Sequence, residues 1–357
     1  MRSALRSGAR ALRSSAGLRT IRVGGVPEHF NTPWHLANAA GKYAEVGIAL
    51  EWVEFPGGTG AMASALRNDQ IDVAIGLTEG IVADILKGGP TRIIGARAHP
   101  LRGALTPRSR VRCTARPSPP RRSHAPQQIP PHDARRAGEY VSTPLTWGVH
   151  VSATSDLRSV EELRARSDGI ADYAVSRFGS GSHLMALVDR RERFGDAAES
   201  VAFEVVGSLE GARAGLAEGR AHAFMWEKFT TAHLVASGEW RRIDEVPTPW
   251  PCFVLAASEA ALKRHSDVLP SLLEVTRGEA AALVASPDAV RTIAGMYSLD
   301  EAGVEEWLAA TRWSVRPTMS VAVLDEVQEA LATAGAVGRD LIRSPLSLLA
   351  DFVALGP

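Results

Sequence analysis

Apolar positions along this chain recur in two alternating rhythms. Short apolar runs stand at IRVGGV (21–26), IALEWVEF (48–55), IDVAIGL (71–77) and TRIIGA (91–96), the lengths expected of strands. Between them, PWHLANAAGKYA (33–44), AMASALRN (61–68) and TEGIVADILKG (78–88) carry helical spacing. Pro33 suits a first helical turn, where its missing N–H loses no bond, and Thr59 is placed to cap the helix that follows it. Strand and helix in strict alternation predict a parallel sheet with helices on both faces.

A second block repeats the theme. YVSTPLTWGVHVSA (140–153) reads as extended, and SVEELRAR (159–166) as a helix with Ser159 and Glu162 at capping-box spacing. Strands follow at YAVSRF, VAFEVVG, AHAFMW and WRRIDEV, separated by helices at GSGSHLMALVDRRERFG, SLEGARAGLAEG and EKFTTAHLVASG. PCFVLAAS (251–258) returns to extended chain. The last hundred residues are nearly all helical. Val304, Trp307, Leu308 and Thr311 form one stripe, and Val321, Leu324, Val327 and Leu331 another, both reading as core-facing. The pattern predicts two α/β lobes closed by C-terminal helices, with no apolar run long enough to cross a membrane.

Charge changes the picture of the ends. The 357 residues carry 40 basic and 40 acidic side chains. The balance is uneven. Residues 1–22 hold six arginines and no acid, and residues 97–138 hold ten arginines, eight prolines and one acid, which leaves the remainder at −15. The first twenty residues, rich in Arg, Ser and Ala, read as a transit peptide for the mitochondrion, with plastid or cytoplasm as alternatives. Residues 97–138 read as a disordered insertion or translated intron. Nucleic-acid binding through that insertion is disfavoured by the acidic body. The expected partition is therefore a leader at 1–20, lobe I at 21–96, the insertion at 97–138, a strand and crossover at 139–149, lobe II at 150–248, and a return crossover with helices packing on lobe I at 249–357.

Candidate chemistry gathers where strands end. In open α/β sheets ligands bind at the carboxyl ends of strands. Those ends supply His29 and Asn31, the turn Gly57-Gly58-Thr59, the pair Thr78-Glu79, the loop Ser180-Gly181-Ser182-His183, and Trp226-Glu227. Trp147 lies in the extended segment between the blocks. The glycines permit close backbone approach, and a helix opening at Ser180 offers N–H groups to a polar or anionic group. The tryptophans can stack on a flat ring or pack the hinge, as can Trp250. Glu79 can meet an amine or cap a helix. The two cysteines, Cys113 and Cys252, cannot build a disulfide framework or a zinc site. G-x-S-x-G, H-E-x-x-H and a phosphate loop are all absent. Lys228 as a Schiff-base lysine for pyridoxal phosphate is a minor alternative to the absence of a cofactor.

The stretch HFNTPWHLANAAGKYAEVGIALEWVEFPGGTGAMASALRNDQIDVAIG resembles the first lobe of type II periplasmic-binding-protein-like proteins, closest to the nitrate/sulfonate/taurine substrate-binding type and the thiamine-pyrimidine synthases. SRFGSGSHLMA, VVGSLEGARAGLAEGRAHAFMWEKF and EVPTPWPCFVLAAS resemble the second lobe in the intracellular fungal and algal branch. The resemblance implies a Venus-flytrap fold with one small-molecule site between the lobes. It departs from the synthases in lacking their cysteine-rich iron-binding stretch, and from bacterial relatives in lacking an export signal. The resulting expectation is a soluble binder of an organic, polar or anionic ligand. An enzyme of thiamine-pyrimidine synthesis using His29 or His183 is the alternative.

Overall fold

A computed structural model describes residues 17–94, 139–195, 201–314 and 321–350. Most of the leader and the whole 97–138 segment, Cys113 included, lie outside the described residues. The first lobe opens with β1 (Arg19–Gly25), followed by α1 (Thr32–Ala39), α2 (Lys42–Glu45), β2 (Ile48–Glu54), α3 (Thr59–Arg67), β3 (Val73–Leu77), α4 (Thr78–Leu86) and β4 (Thr91–Ile93). After 138 come β5 (Glu139–Val141), β6 (Thr146–Ser152), α5 (Val160–Arg164), β7 (Ala171–Val175), α6 (Gly181–Phe194), β8 (Phe203–Val205), α7 (Leu209–Ala217), β9 (Ala221–Glu227), α8 (Ala232–Ala236) and β10 (Trp240–Pro247). The chain closes with β11 (Phe253–Ser258), α9 (Glu259–His265), α10 (Leu269–Ala285), α11 (Ala289–Tyr297), α12 (Glu301–Ala310) and α13 (Val321–Thr333).

Two mixed sheets result. One has the order β2-β1-β3-β11-β4 with β5 also on β11, and the other β10-β6-β9-β7-β8. Within the first, β1 pairs parallel with β2 and β3, but β11 is antiparallel to β3, β4 and β5. The sheet, expected to be mostly parallel, departs from parallel order at β11 for a topological reason. The chain returns from the second lobe and inserts β11 into the sheet interior against the direction of its neighbours. Its six residues are all buried, as are the five of β3. That explains why both read as continuous apolar runs rather than alternating ones.

Local chemistry sets several boundaries. β1 starts at Arg19, two residues earlier than the apolar pattern indicates and inside the expected leader. Arg19 and Arg22 belong to the fold. Arg22 donates to Asp72 through its backbone N–H at 2.9 Å and its Nε at 3.0 Å, and Arg19 pairs with Asp267. The single helix expected at 33–44 is broken, because Gly41 adopts φ 70° between α1 and α2. Ser159 caps α5 as expected, accepting from the Glu162 N–H. α3 is capped differently from the expectation. Gly58 occupies the cap position, and Thr59 is the first helical residue. The switch between sheets falls between β5 and β6, so Thr146–Val149 belong to the second sheet rather than to lobe I.

Two crossing strands of chain join the lobes, and they are hydrogen-bonded to each other. The Leu145 N–H donates to Thr248 Oγ1 at 2.9 Å, Thr248 N–H to the Leu145 carbonyl at 2.9 Å, and Cys252 N–H to the Thr143 carbonyl at 3.0 Å. The C-terminal helices pack on lobe I. Tyr43 meets Thr276 of α10 at 2.8 Å, Lys42 pairs with Glu279, and the Trp313 segment bridges Val141 of β5. Trp34, Trp250 and Trp307 are fully enclosed, and Val304, Leu324, Val327 and Leu331 of the two predicted stripes are buried.

Candidate functional site

The lobes meet along a narrow cavity of about 40 Å³. Lobe I contributes Val26 and Glu28 from the loop after β1, Gly57, Gly58 and Thr59 from the turn after β2, Met62, and Leu77 at the end of β3, with Phe253 of β11 as register partner of Leu77. Lobe II contributes Ser176, Ser180, Gly181 and Ser182 around the start of α6, and Trp226 and Glu227 at the end of β9. Trp147 of β6 is register partner of Glu227, and Leu145 lies in the crossover. Apart from Met62, inside α3, these positions stand at or beside strand ends or in the crossover, as an open α/β architecture requires.

Two glycines shape the loops. Gly58 (φ 72°) and Gly179 (φ 79°) hold left-handed backbone immediately before α3 and α6, which lets both helix N-termini face the cleft. Ser180 caps α6, accepting from His183 N–H and donating to the Arg177 carbonyl at 2.7 Å, and its hydroxyl meets that of Ser182 at 3.0 Å. Thr59 accepts the Leu77 N–H at 2.9 Å, which ties the α3 start to the β3 end. The lobes touch here. A Cβ on Gly60 would stand 2.6 Å from Arg177 Nε, and one on Gly181 2.2 Å from Leu77 Cδ1. Arg177 Nε and Nη2 are buried without a hydrogen-bond partner.

The cavity is mainly apolar but holds two carboxyl groups. Glu28 is 9% exposed and Glu227 3%. Burial pushes Glu28 up to about 8, with the charge of Glu227 adding to the shift and a hydrogen bond from Trp226 opposing it. Burial likewise raises Glu227 to about 7, against hydrogen bonds from Thr230. Glu227 Oε2 accepts from Thr230 N–H at 2.7 Å and Oγ1 at 2.9 Å. No ion pair to either glutamate occurs among the described residues.

Of the residues singled out from sequence, Gly57, Gly58, Thr59, Trp147, Ser180, Gly181, Ser182, Trp226 and Glu227 come together on this cavity. The others do not line it. His29 is buried between Phe30 and Trp307 and held neutral by burial, which depresses it to about 3. Asn31 donates to the Val26 carbonyl at 2.8 Å and shapes the loop that carries Glu28. Thr78 donates to the Pro251 carbonyl at 2.6 Å. Glu79 accepts from Trp250 Nε1 at 2.9 Å, so both residues serve the crossover. His183 accepts the Gly179 N–H at its Nδ1 and packs against Phe178 and Phe203. Lys228 pairs with Glu245 and Glu306 outside the cavity. Glu28 was missed. Its signal was an acid at the end of β1, one residue before His29. Met62, Leu77, Leu145 and Phe253 read only as core, because wall and core residues have the same composition.

The family described as Ca3427-like PBP matches residues 147–246, which is most of lobe II. The CA3427 gene product of Candida albicans, described as defining a family with the generic periplasmic binding protein fold, is 24% identical over 93% of this chain and 95% of its own, with a TM-score of 0.73. The alkanesulfonate-binding protein SsuA of Xanthomonas axonopodis pv. citri, bound to MOPS, is 16% identical over 94% and 95%, with a TM-score of 0.60. The ligand-binding component of an ABC-type import system from Staphylococcus aureus, with zinc bound, is 13% identical over 92% and 98%, with a TM-score of 0.59. No curated protein sequence matches the chain. The chain has the two-lobed, type II periplasmic-binding-protein-like fold.

Proposed function

We propose that this protein holds one small polar organic molecule in the cavity between its lobes and closes around it. The observation that carries this reading is the shared lining. Thr59, Leu77 and Glu28 of one lobe and Ser180, Gly181 and Glu227 of the other bound the same space, beside the paired crossover segments at 143–145 and 248–252. Aromatic walls from Trp147, Trp226 and Phe253 suit an organic body, and the helix starts at Thr59 and Gly181 offer N–H groups to its acceptor atoms. Ligand favours closure by the difference in its affinity for the closed and open forms. The enzymatic alternative drew on His29 or His183, and neither lines the cavity. Among the described residues Cys252 is the one cysteine, wholly buried with its thiol pushed up by burial. A reading as binder fits these placements better than one as catalyst.

Native mass spectrometry of protein purified from its source tests the proposal. The expected result is a bound organic molecule that is released on unfolding and absent from Gly181→Trp, whose side chain fills the cleft. A molecule retained at full occupancy by that variant contradicts it.

A further inference from the structure

Resting on the cleft reading above, we propose that the ligand carries a protonated amine or amidine, seated between the carboxyl groups of Glu28 and Glu227. The two acids come from opposite lobes, in the loop after β1 and at the end of β9, and converge on a cavity whose apolar walls include Val26, Met62, Leu77 and Phe253. Burying two like charges together is costly unless a cation joins them, and one acid otherwise keeps its proton. Neutral side chains of similar size would make a more stable empty cleft. A cation bridging both lobes turns this penalty into a reward for closure.

A second observation points to a ligand at the same place. Trp147 is 3% exposed, lines the cavity, and its indole N–H has no partner. A buried donor left unsatisfied calls for an acceptor on the bound molecule. The ligand therefore presents N–H donors toward the glutamates and an acceptor toward Trp147.

The charged surroundings leave the pair free for this role. Lys228, next to Glu227, is committed to Glu245 and Glu306. Glu79 is bonded to Trp250, Cys252 and Tyr297 are held protonated by burial, and His29 is held neutral. Arg177 sits across the cleft at Gly57 and Gly60. Binding of a cation therefore converts the retained carboxylic acid to carboxylate, and its proton passes to the buffer.

Isothermal titration with four matched probes tests this: benzylammonium and benzamidinium as cations, benzyl alcohol as the neutral body, benzenesulfonate as the anion. Each is titrated near neutral pH in two buffers of different ionisation enthalpy. The cations are expected to bind at least about tenfold more tightly than the other two and to release a proton. Glu28→Gln and Glu227→Gln each weaken the cations about tenfold or more and abolish the release, while ligand-free melting shows both variants folded. Gly181→Trp removes binding altogether. Failure of both cations to bind overturns the inference, and so does benzenesulfonate binding that both glutamine variants leave intact. If that sulfonate binding is lost in Gly181→Trp, the cleft reading survives the failure. Binding of any probe that persists in Gly181→Trp overturns the cleft reading as well.

Discussion

Gly181 of the second lobe lies directly against Leu77 of the first, so closely that a Cβ at Gly181 would come within 2.2 Å of Leu77 Cδ1 and 2.8 Å of Trp147 Cη2. The lobes close at this point because one partner has no side chain. Gly181→Ala meets the far end of a flexible leucine, which can turn away, and the edge of the Trp147 ring, which needs only a small shift. Gly181→Leu cannot be accommodated in the closed form. Small-angle scattering is expected to show a larger radius of gyration for Gly181→Leu than for the parent, with little change in melting temperature. An unchanged radius would show that this contact does not limit closure.

Thr59 links the two lobe I loops that face the cleft. Its hydroxyl accepts the buried Leu77 N–H at 2.9 Å, while its methyl fits against the bare backbone of Gly76 and Gly80. Thr59→Val keeps the methyl packing and strands the N–H. The expected loss is about 1–3 kcal/mol, read from urea unfolding, with Thr59→Ser recovering most of the hydrogen-bond share. A Thr59→Val variant as stable as the parent would remove this bond from the account.

Asp72 anchors the first strand. Burial alone would raise its carboxyl, but hydrogen bonds from the Arg22 side chain and backbone and from Arg264 outweigh it and hold the group at about 2. A depressed acid stabilises the fold above its unfolded value of about 3.8, and that contribution is lost as pH falls toward 2. The shift corresponds to about 2 kcal/mol. Asp72→Asn is expected to lower stability by that order at neutral pH and to flatten the acid limb of the stability curve. An acid limb unchanged in the variant would assign the sensitivity elsewhere.

The raised acids act in the opposite sense. Glu28 at about 8 and Glu79 and Glu227 at about 7 all bind protons more tightly in the fold than at their ordinary 4.5. Below 6.5 the depressed histidines, His29 at about 3 and His150 and His183 at about 4, bind fewer protons in the fold and offset this, so the net fall in ligand-free stability comes as pH rises from about 6.5 to about 8. Melting temperatures across that window are expected to decline, and Glu79→Gln to reduce the slope. A melting temperature that rises over the same range would contradict the burial of these groups.

Much of this organisation is legible in the sequence, for identifiable reasons. The two-lobed fold follows from strand and helix alternation, and nine cavity residues follow from the rule that α/β sheets bind at strand ends. The failures are equally physical. β11 reads as a strand, but its antiparallel insertion depends on a return from the other lobe that no local pattern records. His29, Glu79 and His183 stand at the right strand ends, yet local partners consume them: the Trp307 ring, the Trp250 indole and the Gly179 N–H. Glu28 escaped notice because its importance comes from Glu227, two hundred residues away. Arg19 reads as leader until Asp267 is placed beside it.

Closure around a small molecule is the central claim, and an inter-lobe distance tests it most directly. Spin labels on exposed Glu51→Cys and Glu218→Cys, in a Cys113→Ser background, place one probe on each lobe. Pulsed dipolar spectroscopy then reads their separation with and without a small-molecule extract of the source cells. The account predicts a shorter, narrower distance distribution in the extract, and no response in Gly181→Trp. A distance that ignores the extract, or that shortens equally in Gly181→Trp, would contradict it.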